Sequence, residues 1–189
     1  MSRRRVVVAG LGVISPVGNT VPEAWENLVA GKSGIGPITR FDASNFASRI
    51  AGEVKGFDVS AYLSAKEAPR MDVFIHYGMA AGIQAIRDSG IEVSEANADR
   101  IGVNIGSGIG GLPMIEETHD DFLNGGPRKI SPFFIPGTII NMISGNLSIM
   151  FGMKGPNLSI VTACTTGLHT IGMSARMIEY GDADVMVCG

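Results

Sequence analysis

The clearest pattern of apolar positions lies between residues 71 and 90, where hydrophobic side chains recur every three or four positions. Its members are Met71, Phe74, Ile75, Met79, Ile83 and Ile86. This spacing places them on one face of a helix, and Gly90 follows at a typical helix end. The pattern predicts a long helix packed on the core, with its methionines as core residues rather than part of a cofactor site.

Other segments show the same alternation of helix-like and strand-like patterns. Further helices are expected at 22–29, 113–123 and 138–151, and after Cys164 up to a stop at Gly181. Strands are expected at 5–9, 50–54, 101–105, 157–160 and 184–188. The helix at 138–151 is almost wholly apolar, so we expect it to be buried or to lie at a subunit interface. Alternating strands and helices favour the α/β class, with a sheet covered by helices on both faces.

No linker, low-complexity tract or internal repeat divides the chain, so residues 1–189 are expected to form one unit. The last expected strand is as apolar as a central strand, and the sequence stops one residue after Cys188. We therefore expect these residues to be the N-terminal part of a longer protein.

Composition and charge exclude several classes of function. The formal net charge of −3 provides no field that would attract nucleic acid. Two cysteines are too few for a disulfide framework, so a cytoplasmic setting is expected. The basic residues before Val6 resemble the start of a signal peptide, but Gly10 and Gly12 interrupt the apolar run and no cleavage site follows. No apolar run reaches the roughly 18 residues of a membrane span.

Two glycine-rich stretches invite a nucleotide-binding interpretation. Gly10 and Gly12 follow the first expected strand, but Ser15 replaces the third glycine of a dinucleotide motif and Pro16 stands where a helix should begin. The stretch 106–111 lacks the Lys-Ser or Lys-Thr ending of a phosphate-binding loop. Its glycines are expected instead to let an apolar ligand pass close to the backbone.

The expected helix at 113–123 carries four carboxylates with one nearby histidine, His119. They are Glu116, Glu117, Asp120 and Asp121. Two carboxylate pairs at helical spacing are compatible with a metal site, but without further ligands a solvated acidic face is favoured. No metal and no cofactor are predicted.

Cys164 is the candidate nucleophile. It lies between an expected strand and an expected helix, which places its sulfur near the unpaired N–H groups of a helix N-terminus. Those groups stabilise a thiolate. A buried structural cysteine stays open as the alternative. His169 lies about 140° around the helix from Cys164, so it is expected to be a structural, hydrogen-bonded histidine, and proton-transfer partners would have to come from residues outside this chain.

Several motifs together resemble the condensing enzymes of fatty acid synthesis, the β-ketoacyl-acyl-carrier-protein synthases. The resemblance runs over all 189 residues. It is carried by 5–18, 105–112, 129–142, 155–157, 162–169 and 181–186, with Thr-Ala-Cys-Thr-Thr-Gly-Leu-His at 162–169 among the most specific parts.

This resemblance implies a thiolase fold, a five-layered α-β-α-β-α sandwich that usually forms a homodimer, of which this chain supplies the first half. It implies that Cys164 takes an acyl group from acyl carrier protein as a thioester, with its own backbone N–H in the oxyanion hole. Malonyl-carrier protein then loses CO2, and its carbanion attacks the thioester. The second donor, two histidines and a lysine belong to the family's second half, so these residues alone are not expected to catalyse condensation.

The resemblance also implies roles in substrate binding. The residue matching Ile109 lines and gates the acyl tunnel, and the residue matching Phe134 reaches across the dimer interface. Docking of the acidic carrier protein is implied for Lys66, Arg70, Arg128 and Lys129, and ordinary solvated charges are the alternative for each. Pro69 departs from the pattern, because a basic residue is frequent at that position.

An elongating synthase for medium to long acyl chains is the leading hypothesis. A type I synthase or a polyketide ketosynthase would share the fold and differ in chain preference. A non-catalytic partner that sets chain length usually lacks the cysteine. A dinucleotide-dependent oxidoreductase would need nicotinamide binding at the Gly10 loop.

Overall fold

The computed structural model of the chain describes residues 4–189. Its helices are α1 Val21–Val29, α2 Val73–Ser89, α3 Leu112–Gly125, α4 Phe134–Thr138, α5 Met142–Phe151 and α6 Thr166–Tyr180. The strands are β1 Ile35–Pro37, β2 Ile50–Gly52, β3 Ile101–Asn104, β4 Asn157–Leu158 and β5 Val185–Cys188. Single turns of 3₁₀ helix span Val59–Ala61, Ala68–Arg70, Ala98–Arg100, Pro127–Lys129 and Ala163–Thr165.

A parallel sheet of three strands, in the order β4-β3-β5, lies at the centre of the molecule. Val103 of β3 is opposite Asn157 on one side and Val187 on the other. Every residue of β3 is buried, as expected of a central strand. A separate antiparallel pair is formed by β1 and β2, and Gly52 of β2 lies against Pro16.

The two faces of β3 contact different helices. Ile101 and Val103 join the main apolar cluster with residues of α2 and α5. Asn104 points the other way, and its amide donates to the Thr170 carbonyl and the Ser174 hydroxyl of α6. Helices therefore cover both faces of the sheet, which confirms the α/β prediction.

Helix α2 matches its prediction closely. Asp72 caps its N-terminus by accepting a hydrogen bond from the Phe74 N–H at 3.2 Å, and Gly90 ends it in a left-handed conformation. Ile75, Met79 and Ile83 are fully buried. The apolar face that the sequence pattern predicts is the face that packs on the sheet.

The expected first strand at 5–9 is wrong for this structure. No strand is assigned there, and Val7 and Val8 are 74% and 78% exposed. A strand forms only against a neighbouring strand, and here β5 occupies the edge of β3. The N-terminal segment instead lies along α2, and a cavity of about 520 Å³ separates it from β5 and α6.

The expected helix at 138–151 forms only from Met142 to Phe151, and Thr138 instead ends a short helix that begins at Phe134. Ile139 is extended, with φ −76° and ψ 141°, so α4 ends at Thr138 and α5 begins at Met142. The carbonyls of Gly137 and Thr138 accept from the N–H groups of Asp72 and Gly111, which are tertiary partners that sequence periodicity does not reveal.

Helix α6 forms where predicted, but it buries a different face from the one its apolar spacing suggests. Leu168 and Ile171 are 74% and 51% exposed, whereas Thr166, Thr170 and Ser174 are buried against the sheet. Within residues 4–189, none of the helices combines the length and the apolar character needed to cross a bilayer.

Candidate active site

Cys164 lies in the 3₁₀ turn Ala163–Thr165, directly between the segment that follows β4 and the first residue of α6. Its side chain is exposed. The structure therefore places a free thiol at a strand-to-helix turn, and the alternative of a buried structural cysteine does not fit this position.

The backbone of this turn is unusual at Ala163. Its φ of 52° lies in the left-handed region, and no other non-glycine residue among 4–189 has a positive φ. For a residue with a Cβ atom this conformation costs roughly 1–2 kcal/mol. Such conformations persist where surrounding contacts fix them, and they concentrate at functional sites.

The N-terminus of α6 directly follows Cys164. Within the described residues, no side chain caps this end of α6. The N–H of Thr166 donates to the Ala163 carbonyl, and the positive dipole end of the helix remains able to stabilise a negative charge held at the turn, such as a thiolate.

The glycine loop at 106–111 passes against the cysteine turn. A Cβ atom on Gly106 would lie 2.1 Å from the Ile160 carbonyl oxygen and 2.3 Å from Cγ2 of Thr166. No side chain fits in that space, so glycine is required for the close approach.

The same loop connects the cysteine turn with α4. The N–H of Gly111 donates to the Thr138 carbonyl at 3.0 Å. Ile109 is exposed on this loop, and Phe134 is half-buried at the first residue of α4. The structure thus places Ile109 on an element bonded to the one that carries Phe134 and in contact with the turn that carries Cys164.

The four basic residues expected to dock a carrier protein lie on or beside two 3₁₀ turns. Lys66 is exposed, and Arg70 places its guanidinium 4.2 Å from the ring centre of Phe133. Arg128 and Lys129 are exposed on the turn Pro127–Lys129.

The two turns pack against α4 and α3 respectively, and α3 packs on α4. Within residues 4–189, none of the four basic side chains is in an ion pair. Pro69 lies inside the first turn and contributes no charge.

Two of the three histidines and the second cysteine take structural positions. Nδ1 of His169 lies 2.7 Å from the Thr162 hydroxyl, and Nε2 of His76 lies 2.9 Å from the Ala68 carbonyl. Cys188 is half-buried beside Ser174, and burial raises the pKa of its thiol. It is therefore a poorer nucleophile at neutral pH than an exposed thiol.

Across 4–189 the structure brings together no group of three histidine, cysteine or acidic side chains able to hold a metal ion. The four carboxylates of α3 are exposed. Their arrangement is that of a solvated helix face.

The sequence patterns did not reveal that Thr166 holds the turn Ala163–Thr165 in place. The buried hydroxyl of Thr166 accepts from the Thr162 N–H at 3.0 Å and donates to the Ala163 carbonyl at 2.8 Å. The signal that could have revealed this is the spacing of Thr166, Thr170 and Ser174, which places three small hydroxyl side chains on one helix face.

Comparison with known proteins defines the family. The model of the β-ketoacyl synthase N-terminal domain matches residues 3–189. The chain belongs to the β-ketoacyl synthase family. Over all 189 residues it is 65% identical to 3-oxoacyl-acyl-carrier-protein synthase 2 of Vibrio cholerae, and covers 46% of that protein. The chain spans about half the length of the curated relatives it matches.

Solved ketosynthases have the same architecture. One is a type II polyketide ketosynthase in complex with its acyl carrier protein, with a TM-score of 0.84 and 27% identity over 100% of this chain and 51% of that one. Another is the ishigamide ketosynthase/chain length factor, with a TM-score of 0.85 and 29% identity over 100% of this chain and 47% of that one. The thiolase-type α/β fold is therefore confirmed, with this chain covering half of a ketosynthase.

Proposed function

We propose that these residues form the N-terminal half of an elongating 3-oxoacyl-acyl-carrier-protein synthase that extends fatty acyl chains by two carbons. The observation that carries the proposal is the exposed Cys164 thiol at the uncapped start of α6. High identity to a relative named 3-oxoacyl-acyl-carrier-protein synthase 2 supports this reaction.

In the first step the Cys164 thiolate adds to the carbonyl carbon of an acyl thioester on the carrier protein. A carbon–sulfur bond forms and the carbonyl oxygen becomes an oxyanion, which the backbone N–H of Cys164 stabilises. The oxyanion collapses, the carrier's thiolate leaves, and it takes up a proton. The acyl group is then a thioester of Cys164.

In the second step malonyl-carrier protein loses CO2 and the resulting carbanion attacks that thioester, which releases the Cys164 thiolate. Proton transfer and the second oxyanion donor require further groups, because His169 bonds the Thr162 hydroxyl, His76 bonds the Ala68 carbonyl, and no described histidine is hydrogen-bonded to Cys164. We assign these roles to the part of the synthase that lies outside this chain.

The acyl chain would run beside the glycine loop, with Ile109 at the tunnel wall. Phe134 would contribute to the tunnel of a second subunit in a homodimer. Support for this assignment is the contact of one loop with both the cysteine turn and α4.

Carrier protein would dock on Lys66, Arg70, Arg128 and Lys129, four basic residues without acidic partners among the described ones. A structural neighbour is a ketosynthase in complex with its acyl carrier protein. Replacing Lys129 by Glu in the complete synthase should raise KM for carrier-bound substrate about tenfold, with less effect at high salt. The exposed Lys154→Glu is the control, and an equal rise in both variants would reject the docking surface.

A fatty acyl-elongating 3-oxoacyl-acyl-carrier-protein synthase is favoured over a polyketide ketosynthase, because the 65% identity to the former far exceeds the 27% identity to the solved type II polyketide ketosynthase. An accessible thiol at the expected nucleophile position also disfavours a non-catalytic chain-length partner. A cytoplasmic setting agrees with two free cysteines and with the finding that no described helix can cross a membrane.

The experiment compares Cys164→Ala with Cys188→Ala in the complete synthase. Cys164→Ala should abolish formation of 3-oxoacyl carrier protein from acyl- and malonyl-carrier protein, measured by mass spectrometry. Cys188→Ala removes a thiol that lies under α6 and should retain activity. Condensation by the Cys164→Ala protein would overturn the proposal.

A further inference from the structure

The peptide group between Ala163 and Cys164 links two features of the site. One end is the Ala163 carbonyl, and the other is the Cys164 N–H that the proposed function uses to stabilise the oxyanion. A peptide group is planar and trans, so its C=O and N–H point in opposite directions. Whatever fixes the Ala163 oxygen therefore also fixes the direction of the Cys164 N–H.

Thr166 fixes that oxygen with two hydrogen bonds. Its hydroxyl donates to the Ala163 carbonyl at 2.8 Å, and its backbone N–H donates to the same oxygen. The hydroxyl also accepts from the Thr162 N–H at 3.0 Å. The side chain at this position must therefore donate one hydrogen bond and accept another through an atom attached directly to Cβ, which only threonine and serine do.

The position of Thr166 is itself tightly defined. The residue is 6% exposed, and its methyl group lies where a Cβ atom on Gly106 would come within 2.3 Å. The methyl packs against the glycine loop while the hydroxyl bonds the turn. Because Ala163 is held in a conformation that is unfavourable for its residue type, the hydroxyl is a fixed contact that opposes its relaxation.

We propose that Thr166 is a positioning residue for acyl transfer, which orients the Cys164 N–H toward the oxyanion by holding the Ala163–Cys164 peptide. This inference rests on the proposed function, in which Cys164 accepts the acyl group. The hydrogen bonds of the Thr166 hydroxyl go to the backbone of Thr162 and Ala163, so the residue acts through the peptide.

Two reactions of the Cys164 thiol, acyl transfer and alkylation, distinguish an effect on the orientation of the Cys164 N–H from an effect on the reactivity of the sulfur. Acyl transfer from a thioester passes through an oxyanion, whereas iodoacetamide alkylates sulfur by direct displacement of iodide and forms none. Loss of an oxyanion donor costs about 100- to 1000-fold in rate, and misdirection of a donor that is still present should cost about 10- to 100-fold. Alkylation should change by less than about threefold.

The experiment measures both rates for the wild type, Thr166→Val and Thr166→Ser in the complete synthase. Octanoyl-carrier protein is the acyl donor, and mass spectrometry of the peptide that contains Cys164 reports each adduct. Thr166→Val keeps the shape and loses the hydroxyl, so its ratio of acylation to alkylation should fall about 10- to 100-fold. Thr166→Ser restores the hydroxyl and should restore the ratio. Circular dichroism checks that each variant is folded, because an unfolded chain would be alkylated without being acylated and would lower the ratio by itself.

Thr170→Val is the matched control, since Thr170 is equally buried one turn along α6 and its hydroxyl donates only to the Gly167 carbonyl. An unchanged ratio in Thr166→Val, a parallel fall of both rates, or failure of serine to restore the ratio would each overturn the inference. A wild-type protein that is alkylated but never acylated would reject the proposed function instead.

Discussion

Helices α2 and α6 are similar in length and both end at a left-handed glycine, yet they bury opposite kinds of surface. Helix α2 buries aliphatic and methionine side chains on one face of the sheet. Helix α6 buries three hydroxyl side chains on the other face and leaves Leu168 and Ile171 exposed.

The apolar contacts of α2 contribute mainly to stability, whereas the hydrogen bonds of α6 also define its position. Apolar burial is strong but non-directional, so it stabilises α2 without defining a precise orientation for any atom. Hydrogen bonds need defined distances and angles. Those from Asn104 to the Thr170 carbonyl and the Ser174 hydroxyl, at 3.3 and 3.2 Å, fix how α6 sits on β3. A helix that presents a nucleophile at its N-terminus gains from such a constraint.

The largest predicted effect is on stability, and it compares the loss caused by truncating one isoleucine in each helix. Ile83→Ala in α2 should lower the free energy of unfolding of the chain by about 2–5 kcal/mol, because it leaves a cavity at a fully buried site. Ile171→Ala in α6 should cost less than about 1 kcal/mol, because half of that side chain is already in water. Urea unfolding followed by circular dichroism measures both.

Equal losses of stability in the two variants would mean that the apolar face of α6 is covered in solution. A small loss at Ile83 would contradict the core described for α2.

A smaller effect is predicted at the two helix N-termini. Asp72 is buried, caps α2 and also accepts from the Met114 N–H at 2.9 Å, so Asp72→Ala should cost about 1–3 kcal/mol. Thr165→Ala at the uncapped start of α6 removes only one bond, to the Thr162 carbonyl, and should cost less than about 1 kcal/mol.

Thermal unfolding compares both variants with Asp72→Asn, which keeps a capping oxygen and should be the milder change at position 72. If Thr165→Ala destabilises as much as Asp72→Ala, the start of α6 is held by a cap after all. The start of α6 would then be less able to stabilise a thiolate.

Periodicity in the sequence predicts which residues share a helix face, but it does not say what covers that face. For α2 the apolar face is covered by the sheet, so the prediction and the structure agree. For α6 the sheet takes the hydroxyl face, which hydropathy alone does not favour. The prediction of a strand at 5–9 was wrong for a related reason, since strand formation depends on a partner distant in sequence.

The candidate site divides in the same way. Local pattern singles out Cys164 as a candidate, because a strand-to-helix turn is a short-range feature, but only the resemblance favoured a nucleophile over a structural cysteine. Ile109, Phe134 and the four basic residues are candidates only through resemblance, because the roles proposed for them depend on contacts between remote segments. The hydroxyl of Thr166 was not predicted as part of the site. Its hydrogen bond matters because Ala163 has a left-handed backbone conformation, which cannot be read from the residue type.

The smallest predicted effect concerns the strands that follow the two helices. Arg100 precedes β3 and Asp184 precedes β5, and their ion pair, with Arg4 as a second partner, ties the two strand starts together. Hydrogen bonds from Arg100 and Arg4 lower the pKa of Asp184 from 3.8 to about 2. A lowered pKa in the folded state means that the contribution to stability is present above the ordinary value and is lost as the pH falls toward 2.

Asp184→Asn should therefore be less stable than the wild type at neutral pH, and the difference should vanish between about pH 4 and about pH 2. Thermal midpoints across that range measure it, and roughly 1 M salt should shrink the difference because the pair is exposed to solvent. Because Arg100 also donates to the carbonyls of Gly181 and Asp182, those bonds should survive the substitution and keep the end of α6 in place. A difference that persists at the lowest pH would show that the asparagine disturbs the strand start itself rather than the charge.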